Sequence, residues 1–437
     1  GKAALPMAQA AAETLGNHLA AAIVIPKTDS RQRTAVRRQI SGVSDQPSGA
    51  SSQASAVSGR PSAISKPQSA IRNRRSTIAN PHSQIIPAAH PVPDERNLRA
   101  ARAVSELLAG LQADDLLLCL ISGGGSALLT APADGIALAD LQKLTRQLLA
   151  CGATIEEINT LRKHLSRLKG GRLAQQAAPA RVEALILSDV VGSPPDAIAS
   201  GPCAPDPTTY ADALAVLRRY HLLEDTPPAI LSHLQRGQAG EFPETPKADD
   251  PLFARVHNTI IAENLTAARA ARAQAEAEGF HALVLTTFLQ GEARTVGPLL
   301  AALARQSLRS GDPLPPPACL ICGGETTVTL HGDGLGGRNQ EVALSAVQPL
   351  NGLNALLVTL ASDGEDGPTD AAGAVVSGET LRRARQHHLD PADFLTRNDA
   401  YRFFHALGDL LRTGPTQTNV NDLNFVFTFP DTAGASL

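Results

Sequence analysis

The stretch Leu116-Leu-Leu-Cys-Leu-Ile121, which stops at Ser122-Gly-Gly-Gly125 and resumes as Ser126-Ala-Leu-Leu129, constrains the fold more than any other. A short apolar run bounded by glycine reads as a strand buried on both faces, hence as part of a helix-covered parallel sheet. Gly123, Gly124 and Gly125 free the backbone to turn its N–H groups toward a ligand, and a helix opening at Ser126 would aim its positive end at the same point. The loop therefore reads either as an anion cradle or as a tight strand-to-helix turn that holds nothing.

The same transition recurs. Ala184-Leu-Ile-Leu runs into Ser188-Asp189, Ala318-Cys-Leu-Ile-Cys into Gly323-Gly324, and Ala355-Leu-Leu-Val-Thr-Leu into Ser362-Asp363. Two strand-like runs flank Gly323-Gly324, and Ala22–Pro26 and His281–Thr287 are further strands. Between them, helical periodicity covers 97–111, 138–150, 154–168, 264–278 and 292–308, the third opened by the Thr154/Glu157 capping pair. Strands that end in glycine loops and feed helices predict an α/β protein with parallel sheets in two domains and a cleft between them.

At 437 residues the chain exceeds one core, which suggests about two or three domains. Its formal net charge of -3 offers no global basic field for nucleic acid. No apolar run approaches the roughly 18 residues of a membrane span. The expectation is a cytoplasmic protein with small-molecule partners, a homodimer being an option.

From Arg31 to Ser83 nine Lys or Arg stand against the single acidic Asp45, with twelve serines from Ser41 onward. Such a segment cannot bury a core and reads as a disordered insert over 31–85. The five cysteines make no disulfide framework; Cys319 and Cys322 read as core residues on opposite faces of one strand.

Asp189, at the carboxyl edge of its strand, reads as a carboxylate that holds Mg²⁺ or takes a proton from a hydroxyl, or as one that caps the next turn. Arg338, between Gly337 and a helix start, sits where a guanidinium can fork onto a phosphate. The basic series Arg162, Lys163, His164, Arg167, Lys169 reads as a solvated face more readily than as an anion-facing one. Thr413–Asp422 reads as loop scaffolding.

Taken together, Gly1-Lys-Ala-Ala, Ile121–Leu129, Leu187-Ser-Asp-Val-Val-Gly192, Gly323-Gly-Glu-Thr-Thr-Val328, Gly336-Gly-Arg-Asn-Gln-Glu341, Asp363–Asp370 and Thr413-Gly-Pro-Thr resemble the class II glycerate 2-kinases in order and spacing. The resemblance implies an N-terminal Rossmann-like domain (1–245, carrying the 31–85 insert) and a C-terminal α/β domain (251–437) whose MOFRL region spans about 318–431. It implies ATP and Mg²⁺, and phosphorylation of D-glycerate at the 2-hydroxyl in the cleft between the domains. Carried onto this chain, the motifs make Lys2, Arg338 and Asp189 the catalytic candidates. Ser122, Gly123, Gly124, Gly125, Ser126, Gly336 and Gly337 are the nucleotide or phosphate candidates. Glu325, Asn339 and Asp370 are the candidates for glycerate, and Asp189 and Asp363 those for the metal.

The chain departs from the pattern in beginning at Gly1, without the helix and strand that precede the lysine, and in having Gln417 where glycine is usual. These departures carry the alternative of a truncated, inactive sugar-acid-binding homologue. A second alternative is an NAD(P)-dependent hydroxypyruvate reductase, against which stands Leu128 in the third glycine position of a dinucleotide fingerprint.

Overall fold

The computed structural model describes residues 2–27, 83–90 and 92–430. β1 (Ala22–Val24) and β2 (Ser83–Ile85) pair in parallel as a short ribbon. Residues 83–85 thus belong to a strand rather than to the expected insert; the rest of that insert lies outside the described residues. The glycine-bounded run forms β3 (Leu116–Ile121), which pairs in parallel with β4 (Arg181–Leu187), and β4 with β5 (Val256–Ala262). β5 places the last strand of this sheet beyond the expected boundary at 245–251.

The second sheet contains β6 (His281–Leu289), β7 (Ala318–Gly324), β8 (Ala355–Ala361), β9 (Gly373–Ser377), β10 (Leu410–Leu411) and β11 (Asp422–Thr428), in the order β10-β9-β8-β11-β7-β6. Only β6 and β7 run parallel; the other pairs are antiparallel, contrary to the expectation for this domain. The cause is β11, which returns from the end of the chain and inserts between β7 and β8. A short loop rather than a crossover helix joins β8 to β9, which forces those two to oppose each other. Every residue of β7 is buried, as its unbroken apolar run requires, and Cys322 and Cys319 enter the cores on its two faces. The second run expected after Gly324 is reduced to one bridge, between Thr327 and Glu292.

The expected helices appear at Glu95–Ala109, Leu138–Ala150, Ile155–His164, Asn264–Ala277 and Ala293–Ser310. Thr154 and Glu157 form the anticipated capping box. The helix they open ends at His164 rather than near Leu168, because the Leu165 carbonyl and the Arg167 N–H pair with Ala133 and Ala131.

The carboxyl ends of β3, β4 and β5 lie side by side, since Ile121, Ile186 and Ile260 are in register. In the second sheet, Asp422 at the start of β11 faces Gly324 at the end of β7 and Ala361 at the end of β8. A small apolar cluster of Ala3, Leu187 and Val420 joins the N-terminus, the first sheet and the loop before β11. It holds the functional edges of the two sheets against each other.

Candidate functional site

Beyond β3 the backbone turns through three glycines whose missing side chains make room for neighbours. A Cβ on Gly123 would lie 1.8 Å from an Asp189 carboxylate oxygen, and one on Gly125 2.9 Å from the Ala199 Cβ. Gly124 takes a φ of 82°, and a Cβ there would meet the His90 ring at 3.1 Å. The helix that follows is a single turn, Gly125–Leu128, too short for a strong dipole at Ser126. Both serines of the expected cradle are engaged within the protein. The Ser122 Oγ accepts from the Ala3 N–H at 3.2 Å, and the Ser126 Oγ lies 2.6 Å from the Ser200 Oγ.

Lys2 is pinned to this loop by its own N–H, which donates to the Gly123 carbonyl at 2.8 Å. Its Nζ reaches the second sheet and pairs with Asp363 Oδ2 at 3.0 Å, just beyond β8. Asp189, just beyond β4, accepts from Asn419 Nδ2 at 2.8 Å, a second contact between the two sheets' edges. Burial pushes the Asp189 carboxyl above the usual carboxylate range, against the opposing pull of Lys2 and of the Asn419 hydrogen bond. Asn264, at the start of the helix after β5, donates to the carbonyls of Val420 and Asp422 and holds that loop in place.

Arg338 forks onto a carboxylate: Nε and Nη2 reach Asp422 Oδ2 and Oδ1 at 2.6 and 3.0 Å, and Nη1 reaches Glu325 Oε1 at 2.5 Å. These anions hold its charge permanently, the burial cost notwithstanding. The helix Arg338–Leu350 also has an anion at its N-terminus. Asp366 accepts from the N–H groups of Asn339 and Gln340 at 3.1 and 2.9 Å, and burial pushes its carboxyl up to about 6. A Cβ on Gly337 would meet that carboxylate at 2.3 Å, so the glycine there makes room for Asp366.

The structure therefore brings Lys2, Asp189 and Asp363 together and places Arg338 and Glu325 on the same edge, linked through the 419–422 loop. Asn339 is buried with its amide on Asp366, facing inward. Asp370 stands apart on the surface, where it accepts from the Tyr401 hydroxyl at 2.7 Å and from Arg412. Asn419, Asp422 and Asp366 had no local signal marking them as site residues; only their contacts across the chain reveal them. The basic series after Thr160 is not a solvated face. Lys163 is buried between Asp196 and Asp206 at 3.0 and 3.2 Å, His164 lies against Glu244, and only Arg167 is exposed. Among the described residues no three or more His, Cys, Asp or Glu gather as a metal site, and no helix is long and apolar enough to cross a membrane.

Residues 1–235 match the family described as a domain of unknown function (DUF4147), and residues 318–422 match the MOFRL family. The chain is 44% identical over 341 residues to a protein named glycerate 2-kinase from Pyrococcus horikoshii, covering 78% of this chain and 77% of that protein. It is 43% identical over 346 residues to one named putative hydroxypyruvate reductase from Agrobacterium vitis, with coverage of 78% and 77%. The crystal structure of glycerate kinase from Thermotoga maritima superposes with a TM-score of 0.79 at 39% identity, over 98% of this chain and 90% of that one.

Proposed function

The chain belongs to the glycerate 2-kinase family, and from that premise we propose that it transfers the γ-phosphoryl group of ATP to the 2-hydroxyl of D-glycerate, giving 2-phosphoglycerate and ADP. The observation that carries this reading is the meeting of Lys2, Asp189 and Asp363 where the two sheets' edges face each other.

Phosphoryl transfer asks for alignment and for cations where charge spreads over the moving group. Asp189, whose carboxyl binds a proton more tightly than an ordinary one, accepts the proton of the 2-hydroxyl as that oxygen attacks phosphorus. Lys2 supplies positive charge at the γ-phosphoryl. Arg338 supplies charge from the second sheet; its Glu325 partner is the exposed one, so phosphate oxygens compete for the Nη1 side. With Ser122 and Ser126 engaged elsewhere and the Gly125 N–H donating to the Ser122 carbonyl, the phosphate contacts fall to the backbone of Gly123 and Gly124.

Mg²⁺ that travels with a nucleotide takes only one or two protein carboxylates, and Asp189 and Asp363 fit that requirement. Bound there, it would offset phosphate charge.

The reductase reading draws on a relative's name alone. Here the third fingerprint position is Leu128, buried in the core, where a dinucleotide-binding turn needs glycine for close helix packing. The test is ADP release with D-glycerate as acceptor, with phosphorus NMR of the product. Glycerate-dependent ADP and a 2-phosphate resonance are expected. Consumption of NADH or NADPH with hydroxypyruvate, without ADP release, would replace this reading by the reductase.

A further inference from the structure

Around the glycine loop lies a group of basic side chains that phosphoryl transfer as described leaves unused. Arg162 belongs to the helix Ile155–His164, one turn beyond Asn159 and therefore on the same face. Asn159 is tied to the glycine loop: its Oδ1 accepts from the Ser200 Oγ at 2.9 Å, and Ser200 meets Ser126 at 2.6 Å. The charge of Arg162 is felt by His90, which packs on Gly124, and by Lys169, which donates to the Leu129 carbonyl just past the loop's single-turn helix. Arg162 is half-buried and makes no hydrogen bond or ion pair among the described residues, although burial costs it enough to depress its pKa. A guanidinium in that state lacks an anion.

Two further basic side chains lie beside the loop. Lys169 is buried, donates among the described residues only to the Leu129 carbonyl at 2.5 Å, and is lowered to about 7 by burial and by Arg162. His90 packs on Gly124 and is lowered to about 4 by burial, with Lys27, Lys2 and Arg162 adding to the effect. It is neutral at physiological pH and retains a ring N–H to donate.

The spacing suggests what this group receives. Asp189 packs on Gly123 and His90 on Gly124, and consecutive Cα atoms lie about 3.8 Å apart. In a 2-hydroxy acid the hydroxyl and the carboxylate sit on adjacent carbons, a pair of groups that matches a proton acceptor packed on one glycine and an N–H donor packed on the next.

We propose that Arg162, with His90 and Lys169, forms the subsite that binds the carboxylate of the 2-hydroxy acid acceptor, a specificity site that rests on the glycerate-kinase reading. It distinguishes 2-hydroxy acids from uncharged polyols, because an alcohol without a carboxylate leaves the Arg162 guanidinium unpaired.

Calorimetric titration of D-glycerate, D-lactate and glycerol into the nucleotide-free full chain tests this without turnover, on wild type, Arg162→Met and Arg162→Lys. Wild type is expected to bind both acids and not glycerol. Arg162→Met should weaken D-glycerate by about 30-fold, as expected for loss of a charge-assisted pair. Arg162→Lys should fall between, with circular dichroism unchanged in both variants. Wild-type affinity for D-glycerate in Arg162→Met, glycerol binding equal to that of glycerate, or no binding of either acid by wild type overturns the subsite. In separate turnover assays, a raised KM for ATP with an unchanged KM for glycerate in Arg162→Met would make it a phosphate contact instead and also overturn it. A wild type that binds D-glycerate but releases no ADP with ATP sinks the kinase reading and leaves the subsite standing.

Discussion

Lys2 and Asp363, 361 positions apart in the chain, lie with Nζ and Oδ2 3.0 Å apart, and this single ion pair ties the N-terminal segment to the exit of β8 in the second sheet. The backbone N–H of the same Lys2 holds the glycine loop of the first sheet. Replacing Lys2 by Met removes the cation and keeps most of the packing. Turnover should fall by about 10³ or more, while stability changes by no more than about 1 kcal/mol, since the pair is partly solvated. Steady-state ADP release and chemical denaturation read the two effects separately.

Arg338 serves both charge and stability. Arg338→Ala leaves Asp422 buried beside Glu325 without a cation, which should cost about 3 kcal/mol in addition to turnover. Adding Asp422→Asn should recover most of the stability and none of the activity. A double variant as unstable as the single one would show that the pair is not what holds this edge.

Asp366 gives the fold a pH dependence with a defined sign. Its carboxyl is raised from 3.8 to about 6, so between these values the folded state binds more protons than the unfolded one, and stability falls as pH rises through that window. Two pKa units correspond to roughly 3 kcal/mol. In Asp366→Asn this slope should vanish; denaturant midpoints from pH 4 to 7 for both proteins measure it. A wild type that gains stability relative to Asp366→Asn across that range would contradict it.

Gln417 has a φ of 64°, in the left-handed region. A side chain there costs about 1 kcal/mol that glycine avoids. Gln417→Gly should therefore stabilise the protein by up to about 1 kcal/mol in denaturant titration.

The parts legible in the sequence were those with local causes. The run 318–324 is the buried strand its apolar sequence requires, whereas 116–121 forms a strand whose residues are exposed or only half-buried; Thr154 with Glu157 opens a helix, and the two-domain α/β character followed from such local signals. The strand order of the second sheet had no such signal: β11 enters between β7 and β8 through pairing with segments far away in the chain. The site divided in the same way. Asp189 could be placed because a strand delivers it to an edge. Arg338 stands at its helix start as expected, but its anion was expected to be a phosphate and in the structure is Asp422, 84 residues on. Lys163 and His164 looked like a solvated face because charge density records composition, whereas burial depends on partners such as Asp206 and Glu244 from distant segments.

The most direct test of the central claim is ADP release from ATP with D-glycerate as acceptor, comparing wild type with Asp189→Asn, which preserves shape and removes the proton acceptor. Wild type should turn over and form 2-phosphoglycerate. Asp189→Asn should lose about 10² to 10⁴ in kcat while keeping its fold and its affinity for D-glycerate within a few-fold. Full activity in Asp189→Asn, or no glycerate-dependent ADP from wild type, would contradict the account.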